Sequence, residues 1–169
     1  TLNVAALNGH NTVTFDGVDD AMSVADPFTP SSFTIAFVIK PTTASAIALL
    51  SQYDNTANQR AYNIYLGDGA GTFRLLKSSD GTDPKVENSG GNTAAANATW
   101  VIKTVVFNGT TGVSFYHNGA SDGSTTFTNS GIFNGTRAMY LGAREITDGA
   151  PDSFYAGDYA RILAWSSVL

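Results

Sequence analysis

Large apolar residues alternate with small or polar ones in many short segments of this chain. The pattern is clearest over residues 33–40, where the odd positions carry Phe33, Ile35, Phe37 and Ile39. Because successive side chains of a β-strand point to opposite faces, this period of two predicts a strand with its odd positions in a core. We therefore expect Thr34 and Lys40 to face outward or to lie at a sheet edge.

Similar segments follow one another from end to end, separated by turn signals such as Asp16-Gly17, Asn108-Gly109 and Asn118-Gly119. They lie at about residues 12–15, 21–24, 46–52, 60–66, 72–77, 100–107, 112–117, 136–143 and 159–165. The firmest local prediction is a hairpin over residues 99–119, with Phe115 facing the core and Ser114 and Tyr116 facing away. About ten short strands at such spacing predict an all-β sandwich or jelly roll.

The pattern also predicts one long loop and a set of aromatic residues that pack in the core. Residues 80–98 are rich in Gly, Asn and Ala with few apolar side chains, so we expect a long surface loop there. Six aromatic residues are assigned to packing: Phe33, Phe37, Trp100, Phe107, Phe115 and Trp165.

Length and composition agree with one domain over residues 1–169. The chain is 43% hydrophobic and only 14% charged, with 17 Gly, which is typical of short strands joined by tight turns. It begins without Met and stops directly after an apolar segment at residues 162–169. We therefore expect a module excised from a larger protein.

Charge and hydropathy exclude several partners. The net charge is −5, and the nine Lys and Arg residues are scattered singly, whereas nucleic acid binding needs clustered bases. No apolar run approaches the roughly 18 residues of a membrane span, so we expect no membrane insertion. The absence of Cys excludes a disulfide framework and a thiolate metal site.

Three stretches, taken in order, resemble the laminin-G-like branch of the concanavalin A-like superfamily. They are FDGVDD at residues 15–20 with MSV at 22–24, then TWVIKTVVFNGTTG at 99–112 with FYHNG at 115–119, and finally YLGA at 140–143 with FYAGD at 154–158 and ARI at 160–162. The resemblance implies an all-β, concanavalin A-like jelly-roll sandwich of two antiparallel sheets. It is far less specific for function, because this fold carries lectins, adhesion modules, glycosidases and lyases.

The residues argue against an enzyme. Glycosidases of this superfamily carry an E-x-D-x-x-E strand, because retaining hydrolysis needs two carboxyl groups about 5 Å apart. This chain has only Glu87 and Glu145, and neither lies in such a pattern. The strands typical of lyases on this fold are also missing, and His10 and His117 have no nucleophile elbow nearby in the sequence. We expect no catalytic residues.

Pentraxins, a related branch, hold calcium between two loops, and two segments of this chain are similar to those loops. Residues 49–55 (LLSQYDN) are similar to the first loop, and residues 141–149 (LGAREITDG) are similar to the second. The resemblance implies calcium ligands at Asp54, Asn55, Glu145 and Asp148, whose oxygens suit that ion. Asp and Asn in loops also form turns without any metal, and Asp16, Asp19 and Asp20 offer a second acidic turn that could hold an ion instead.

Sugar binding is the leading functional hypothesis. An aromatic ring stacks on the apolar face of a pyranose while polar neighbours bond its hydroxyls. Arg60 and Arg144 would be partners for acidic sugars, and the candidate stacking rings are Tyr53, Tyr62, Tyr65, Tyr116 and Tyr155. Any such site is expected at the sandwich end formed by loops 53–60 and 144–155.

The complete functional hypothesis is a non-catalytic carbohydrate-binding or cell-surface adhesion module of a larger extracellular or virion-associated protein. Its partners would be a glycan or cell-surface polysaccharide and the other domains of the parent chain. The alternative is a structural spacer or protein-interaction sandwich without a sugar site. A glycan-degrading enzyme is the weakest of the three.

Overall fold

The computed structural model describes residues 1–25, 28, 30–43, 46–56, 58–67, 71–82, 86–95, 98–147 and 150–169. Strands in chain order within this part are β1 (Leu2–Leu7), β2 (His10–Asp16), β3 (Met22–Val24), β4 (Phe33–Pro41), β5 (Ile47–Gln52), β6 (Arg60–Gly67), β7 (Thr72–Gly81), β8 (Val86–Ala94), β9 (Val101–Phe107), β10 (Gly112–His117), β11 (Ala120–Thr126), β12 (Met139–Leu141), β13 (Arg144–Thr147), β14 (Ala150–Asp152) and β15 (Ala156–Trp165). Among these residues no helix is long and apolar enough to cross a membrane.

Two antiparallel sheets make up the described fold. A seven-stranded sheet has the order β1-β2-β15-β4-β9-β10-β11, and a six-stranded sheet has the order β3-β12-β5-β6-β7-β8. The short strands β13 and β14 form a separate hairpin. Because neighbours in the sheets are often distant in sequence, the chain crosses repeatedly between the two layers. This arrangement confirms the predicted all-β sandwich of two antiparallel sheets.

The core lies between the sheets and is built by the alternation seen in the sequence. Phe33, Ile35, Phe37 and Ile39 of β4 are at most 1% exposed, as predicted. On the facing sheet, Phe73 of β7 meets the Phe37 ring edge-on with ring centroids 5.9 Å apart. Large aromatic side chains therefore fill the space between the two layers.

The predicted hairpin is also confirmed. Strands β9 and β10 pair antiparallel, and Phe115 is fully buried while Ser114 and Tyr116 are half-buried on the opposite face. The turn is held by Asn108, whose Oδ1 accepts hydrogen bonds from the amides of Thr110 and Gly112, both at 2.9 Å. This is the local side-chain hydrogen bonding that favours Asn in turns.

Two side chains on the outer face are covered or exposed differently from what was expected. Thr34 faces away from the core as predicted, but it is only 4% exposed, because its hydroxyl donates to the Ser167 carbonyl and accepts from the Leu169 amide in the C-terminal segment. Trp165 is 37% exposed, because its position in β15 faces away from the core. Alternation identifies the two faces of a strand, but not what covers the outer one.

Strand boundaries differ from the prediction in the polar segments. Residues 80–98 are not one long loop, since β7 continues to Gly81 and residues 86–94 pair with it as the edge strand β8. The predicted strand at 136–143 shrinks to the three residues of β12. Backbone pairing with an existing sheet edge creates β8 although its sequence has little apolar content.

Candidate functional site

The outer face of the six-stranded sheet carries polar and aromatic side chains next to its centre. On β6, Asn63 and Tyr65 alternate with residues of the core and therefore face away from it. Tyr65 pairs with Ala48 of β5, and Asn63 pairs with Leu76 of β7. These four residues form a continuous surface across three neighbouring strands.

The β13–β14 hairpin packs against this face beside β5. The Ala48 amide donates to the Ser153 carbonyl at 2.8 Å, and the Ser51 hydroxyl donates to the Ala143 carbonyl at 2.9 Å. The chain reaches the hairpin through Gly142, which follows β12 with a φ of +79°. Glycine adopts that conformation without strain, so the chain can turn there onto the outer face.

A groove of about 210 Å³ lies between the hairpin and the sheet. We call it the outer groove, and its lining residues are Ala46, Ala48, Asn63, Tyr65, Leu76, Arg144 and Ser153. Asn63 is only 3% exposed, and its Oδ1 accepts no hydrogen bond from any residue that the structure describes. Buried side-chain oxygens normally have a donor, so this acceptor beside the groove is uncompensated.

Arg144 projects its guanidinium into the same groove. The group lies 5.7 Å from the centroid of the Tyr53 ring, within the range of a cation–π interaction. Its Nε donates to Asp152 Oδ1 at 3.4 Å, and 23% of the Arg144 side chain is exposed. Tyr53 and Asp152 therefore orient the guanidinium and leave part of it accessible.

Glycine at position 67 makes room for the Tyr65 ring. A Cβ at Gly67 would lie 2.7 Å from Cε2 of Tyr65, which is closer than real side chains approach. The ring therefore lies along β6 over the backbone of Gly67, half-buried at the side of the outer groove. Such a ring offers a flat apolar surface to a ligand.

Loop 53–60 is stabilised by an ion pair and by hydrogen bonds. Asp54 is fully buried; its Oδ1 accepts from the Thr56 amide at 2.7 Å, and its Oδ2 lies 2.9 Å from Nε of Arg137. Arg60 is 7% exposed and donates to Asn55 through both the backbone and the side-chain oxygen of that residue. Arg60 thus stabilises the loop and has little surface left for a ligand.

These contacts bear on the calcium hypothesis. The Asp54 carboxylate faces the Arg137 guanidinium and the Asn55 side chain faces Arg60, so arginine supplies the positive charge that calcium would bring. As arranged, Asp54 and Asn55 do not fit a calcium ion. Asp148 lies outside the described residues, and calcium binding therefore stays a prediction.

Glu145, the second residue of β13, is 2% exposed. Burial raises the pKa of the neighbouring Tyr140 phenol, the Glu145 carboxylate raises it further, and Arg137 lowers it. Glu145, Tyr140 and Arg137 are therefore close enough to interact electrostatically. Arg137, a residue that the sequence analysis did not select, therefore acts both on Asp54 of the first predicted loop and on Tyr140.

Two predicted sugar-binding tyrosines lie in the core instead. Tyr62 is 1% exposed, and its hydroxyl donates to the Phe28 carbonyl at 2.9 Å. Tyr155 is fully buried against Tyr159, with ring centroids 4.5 Å apart. Burial raises the pKa of both phenols far above the usual range. The expectation that these two rings face outward is therefore wrong.

Of the predicted ligand-binding residues, Tyr65 and Arg144 line the outer groove. Tyr53 contacts the Arg144 guanidinium but is only 4% exposed, so the expectation that its ring stacks on a sugar is wrong. The sequence analysis missed Asn63, although an amide in the middle of the apolar strand 60–66 was a visible signal. Leu76 and Ser153 gave no such signal, because only the packing of the hairpin on the sheet places them in the groove.

The second acidic cluster is a hydrogen-bonded turn. Ligand oxygens of Asp16, Asp19 and Asp20 lie within 4.8 Å of one another, and Asp16 and Asp19 are exposed. Asp16 Oδ1 accepts from the Val18 amide at 2.8 Å, and Asp20 Oδ2 accepts from the Asp16 amide at 3.1 Å. These bonds explain the clustering as turn formation.

Comparison with solved structures finds similar folds in other proteins. The chain is similar to CBM40 of the Ruminococcus gnavus IT-sialidase, solved with α2,3-sialyllactose (TM-score 0.76, 16% identity, 94% of this chain and 90% of that chain). It is also similar to domain 4 of AbnA, a GH43 extracellular arabinanase from Geobacillus stearothermophilus solved with arabinotriose (TM-score 0.72, 13% identity, 100% and 77%). A third similar structure is the heptameric SAP-like pentraxin of Limulus polyphemus (TM-score 0.70, 15% identity, 94% and 76%).

Sequence comparison decides the family. No curated protein matches the chain significantly. The laminin-G-type family model described as the concanavalin A-like lectin/glucanases superfamily matches residues 11–169, which is nearly the whole chain. The match agrees with the two-sheet topology and with the motifs at residues 15–24, 99–119 and 140–162. The chain therefore belongs to the concanavalin A-like lectin/glucanases superfamily.

Proposed function

We propose that this chain is a non-catalytic carbohydrate-binding module whose ligand site is the outer groove. The observation that carries the proposal is the convergence of three groups in one concave surface: the Tyr65 ring, the Arg144 guanidinium and the buried Asn63 amide. Ligand sites combine apolar walls with a few convergent polar groups in this way. Two similar structures, the sialidase CBM40 and the arabinanase domain, were solved with oligosaccharides, which supports the same ligand class.

On this proposal the outer groove binds sugar without hydrolysing it. Retaining and inverting glycosidases both need a pair of carboxyl groups that flank the scissile bond. In the described part of the outer groove, the lining residues include no carboxylate. Glu145 is buried and acts electrostatically on Tyr140. The parent protein, and its extracellular or virion location, stay predictions.

The proposal also makes sugar binding independent of calcium. Arg137 already pairs with the Asp54 carboxylate, and Arg60 donates a hydrogen bond to the Asn55 side chain. These are two of the groups that the pentraxin resemblance assigned to the ion. The groove residues reach a ligand through an amide, a guanidinium and a ring, none of which needs a metal. An oligosaccharide array probed with calcium and again with EDTA should therefore give the same binders.

The test compares groove variants with matched controls on the opposite sheet. Tyr65→Ala and Arg144→Leu should weaken binding of the best array oligosaccharide at least about tenfold, as loss of a central aromatic or Arg contact does. Tyr116→Ala and Arg161→Leu, on the outer face of the seven-stranded sheet, should bind as the wild type does. Groove variants that keep wild-type affinity, or a wild type that binds no oligosaccharide, would reject the proposal.

A protein-interaction module is the second candidate, and a specific surface favours it. Ile102 and Leu163 are each 43% exposed and Trp165 is 37% exposed, and all three lie on the outer face of the seven-stranded sheet. Exposed apolar patches often mark protein contacts. This alternative predicts that the Tyr116 and Arg161 region, rather than the outer groove, responds to a partner.

A further inference from the structure

Strands β2 and β15 of the seven-stranded sheet are paired over only part of their length. Residues 13–16 of β2 pair with residues 156–159 of β15, and this pairing ends where the register of β15 shifts at Ala160. Beyond that point, within the described chain, β15 pairs only with β4 and β2 pairs only with β1. An open cavity of about 540 Å³ separates the two strands there, and we call it the strand gap. Its lining residues are Gly9, His10, Asn11, Ala160, Arg161 and Ile162.

Backbone groups on the β15 side point into the strand gap. In antiparallel sheets a residue directs both its amide and its carbonyl to one neighbouring strand, and the next residue directs them to the other. Ile102 of β9 faces β10, because its carbonyl accepts from the Asn118 amide and its amide donates to Asn118 Oδ1, both at 2.8 Å. Lys103 therefore faces β4, where its register partner is Phe37. Since Phe37 thus faces β9, its partner on β15, Ile162, directs its amide and carbonyl into the strand gap.

The β2 side presents backbone groups in the same way. Thr14 faces β1, because its amide donates to the Thr1 carbonyl and its carbonyl accepts from the Thr1 amine, both at 2.8 Å. By the same alternation Asn11 faces the strand gap, and so does Ala164, two residues beyond Ile162. Within the described chain these three residues have no strand partner across the gap. An extended segment placed between β2 and β15 would pair with both edges and complete the sheet.

The dimensions of the strand gap fit a short stretch of one strand. Strand residues rise about 3.3 Å, neighbouring strands lie about 4.8 Å apart and sheets pack about 10 Å apart, so one extended residue occupies roughly 160 Å³. A volume of about 540 Å³ therefore holds about three residues. Residues 9–11 and 160–162, which border the gap on its two sides, agree with that length.

The side chains around the strand gap indicate which extended segment fits. Arg161 lies opposite Val38 on the outer face and is exposed, and no described residue forms an ion pair or a hydrogen bond with its side chain. His10 is exposed as well, and the described lining includes no carboxylate although the chain has a net charge of −5. An acidic side chain on the outer side of an inserted strand would therefore complement Arg161. Ile162 packs against the core, so the alternate side chains of that strand should be apolar.

We infer that the strand gap binds an extended segment of a partner protein, with alternating acidic and apolar side chains, as an added strand between β2 and β15. Main-chain hydrogen bonds supply the affinity, and the two side-chain faces supply the specificity. This interaction is independent of sugar binding, because the outer groove lies on the six-stranded sheet.

Hydrogen exchange of the free chain tests whether the two edges are open. The amides of Asn11, Ile162 and Ala164 should exchange at least about tenfold faster than the amide of Tyr159, which is paired with β2 on the same strand. A protected Ile162 amide in the free chain would contradict the inference. Protection that increases with chain concentration would assign the gap to a second copy of this chain and would also overturn the inference.

The partner chemistry is tested by calorimetry with the blocked heptapeptide TVDVDVT, with its lysine counterpart TVKVKVT, and with TVDVDVT that is N-methylated at alternate residues. TVDVDVT should bind, and amide NMR shifts should appear at Asn11, Ile162 and Ala164 but not at Tyr65 or Arg144 of the outer groove. The N-methylated peptide should not bind, because it lacks the amide donors of one edge.

Arg161→Glu reverses the charge at an exposed position, and an unchanged Tm shows that the variant keeps its fold. The change should weaken TVDVDVT binding at least about fivefold and make TVKVKVT the better ligand. Arg161→Gln should weaken TVDVDVT binding less than Arg161→Glu does. The inference is wrong if neither peptide binds the wild type, if the N-methylated peptide binds equally well, or if the wild type does not prefer TVDVDVT to TVKVKVT.

Discussion

Two lysine side chains, Lys77 and Lys103, are completely buried inside the sandwich. The Lys77 ammonium donates to the Asn129 carbonyl at 2.6 Å and lies 4.7 Å from the centroid of the Phe127 ring. Lys103 donates to the Thr93 carbonyl at 2.6 Å and lies 3.5 Å from Asp122 Oδ2. Lysine is almost never fully buried without such partners.

The Lys103–Asp122 pair also connects the two sheets. Asp122 lies on β11, at the edge of the seven-stranded sheet, and its Oδ1 accepts from the Thr93 amide of β8, at the edge of the six-stranded sheet. Burial lowers the pKa of Lys103, and Asp122 partly offsets that effect. Burial alone would raise the pKa of Asp122, but the Thr93 hydrogen bonds and Lys103 outweigh it, so the pKa lies below its usual value of 3.8.

We predict that Asp122→Ala destabilises the fold by about 3–5 kcal/mol, because it leaves the Lys103 charge buried without its partner. Ser121→Ala, on the same strand but exposed, is the matched control and should change stability by less than about 0.5 kcal/mol. Urea unfolding of both variants measures the difference. A loss in Asp122→Ala no larger than in the control would contradict the assigned role.

The same pair predicts a direction for pH. Since the folded-state pKa of Asp122 lies below 3.8, its contribution is present above that pH and is lost as pH falls through the folded-state pKa. The wild type should therefore lose stability on acidification below about pH 3.8, and Asp122→Ala should lose less over that range. Equal acid losses in the two proteins would count against the pair.

At the scale of elements, β4 carries the centre of the core. Phe37→Ala should cost about 3–5 kcal/mol, because it opens a cavity against Phe73 on the facing sheet. Val38→Ala, one residue along on the half-buried outer face, should cost no more than about 1 kcal/mol. The denaturant midpoints of the two variants measure these losses of stability. Equal losses would mean that β4 does not have one buried and one outer face.

The sequence pattern predicted the strands that have one buried face, because apolar and polar residues alternate in them. It missed a strand that is held mainly by backbone pairing with its neighbour. Strand β4 and the β9–β10 hairpin were predictable from alternation and from the Asn108 turn. Strand β8 was not, because it is held by the backbone of β7 rather than by apolar side chains. The burial of Tyr62 was hidden as well, since alternation does not say which face of β6 meets the core.

The candidate site was only partly predictable for a related reason. Loops 53–60 and 144–155 were correctly expected to be near each other, as the contact of Tyr53 with Arg144 shows. The outer groove itself arises from the packing of the β13–β14 hairpin on the six-stranded sheet. Asn63 and Leu76 join Arg144 there only through tertiary structure, which no spacing along the chain records.

At the scale of the whole molecule, the two outer faces differ in chemistry. The outer face of the six-stranded sheet holds a groove with an amide, a guanidinium and a tyrosine ring, whereas that of the seven-stranded sheet presents Ile102, Leu163 and Trp165. The two proposed functions, sugar binding and protein contact, therefore belong to opposite sides of one sandwich.

The most direct measurement is a titration of the isotope-labelled chain with its best-binding oligosaccharide, followed by backbone amide NMR shifts. The largest shifts should map to the outer groove, at Ala48, Asn63, Tyr65, Arg144 and Ser153, with little change at Ile102, Tyr116 and Leu163. Shifts concentrated on the seven-stranded sheet or at Asp16–Asp20, or no shifts with any oligosaccharide, would contradict carbohydrate binding in the outer groove.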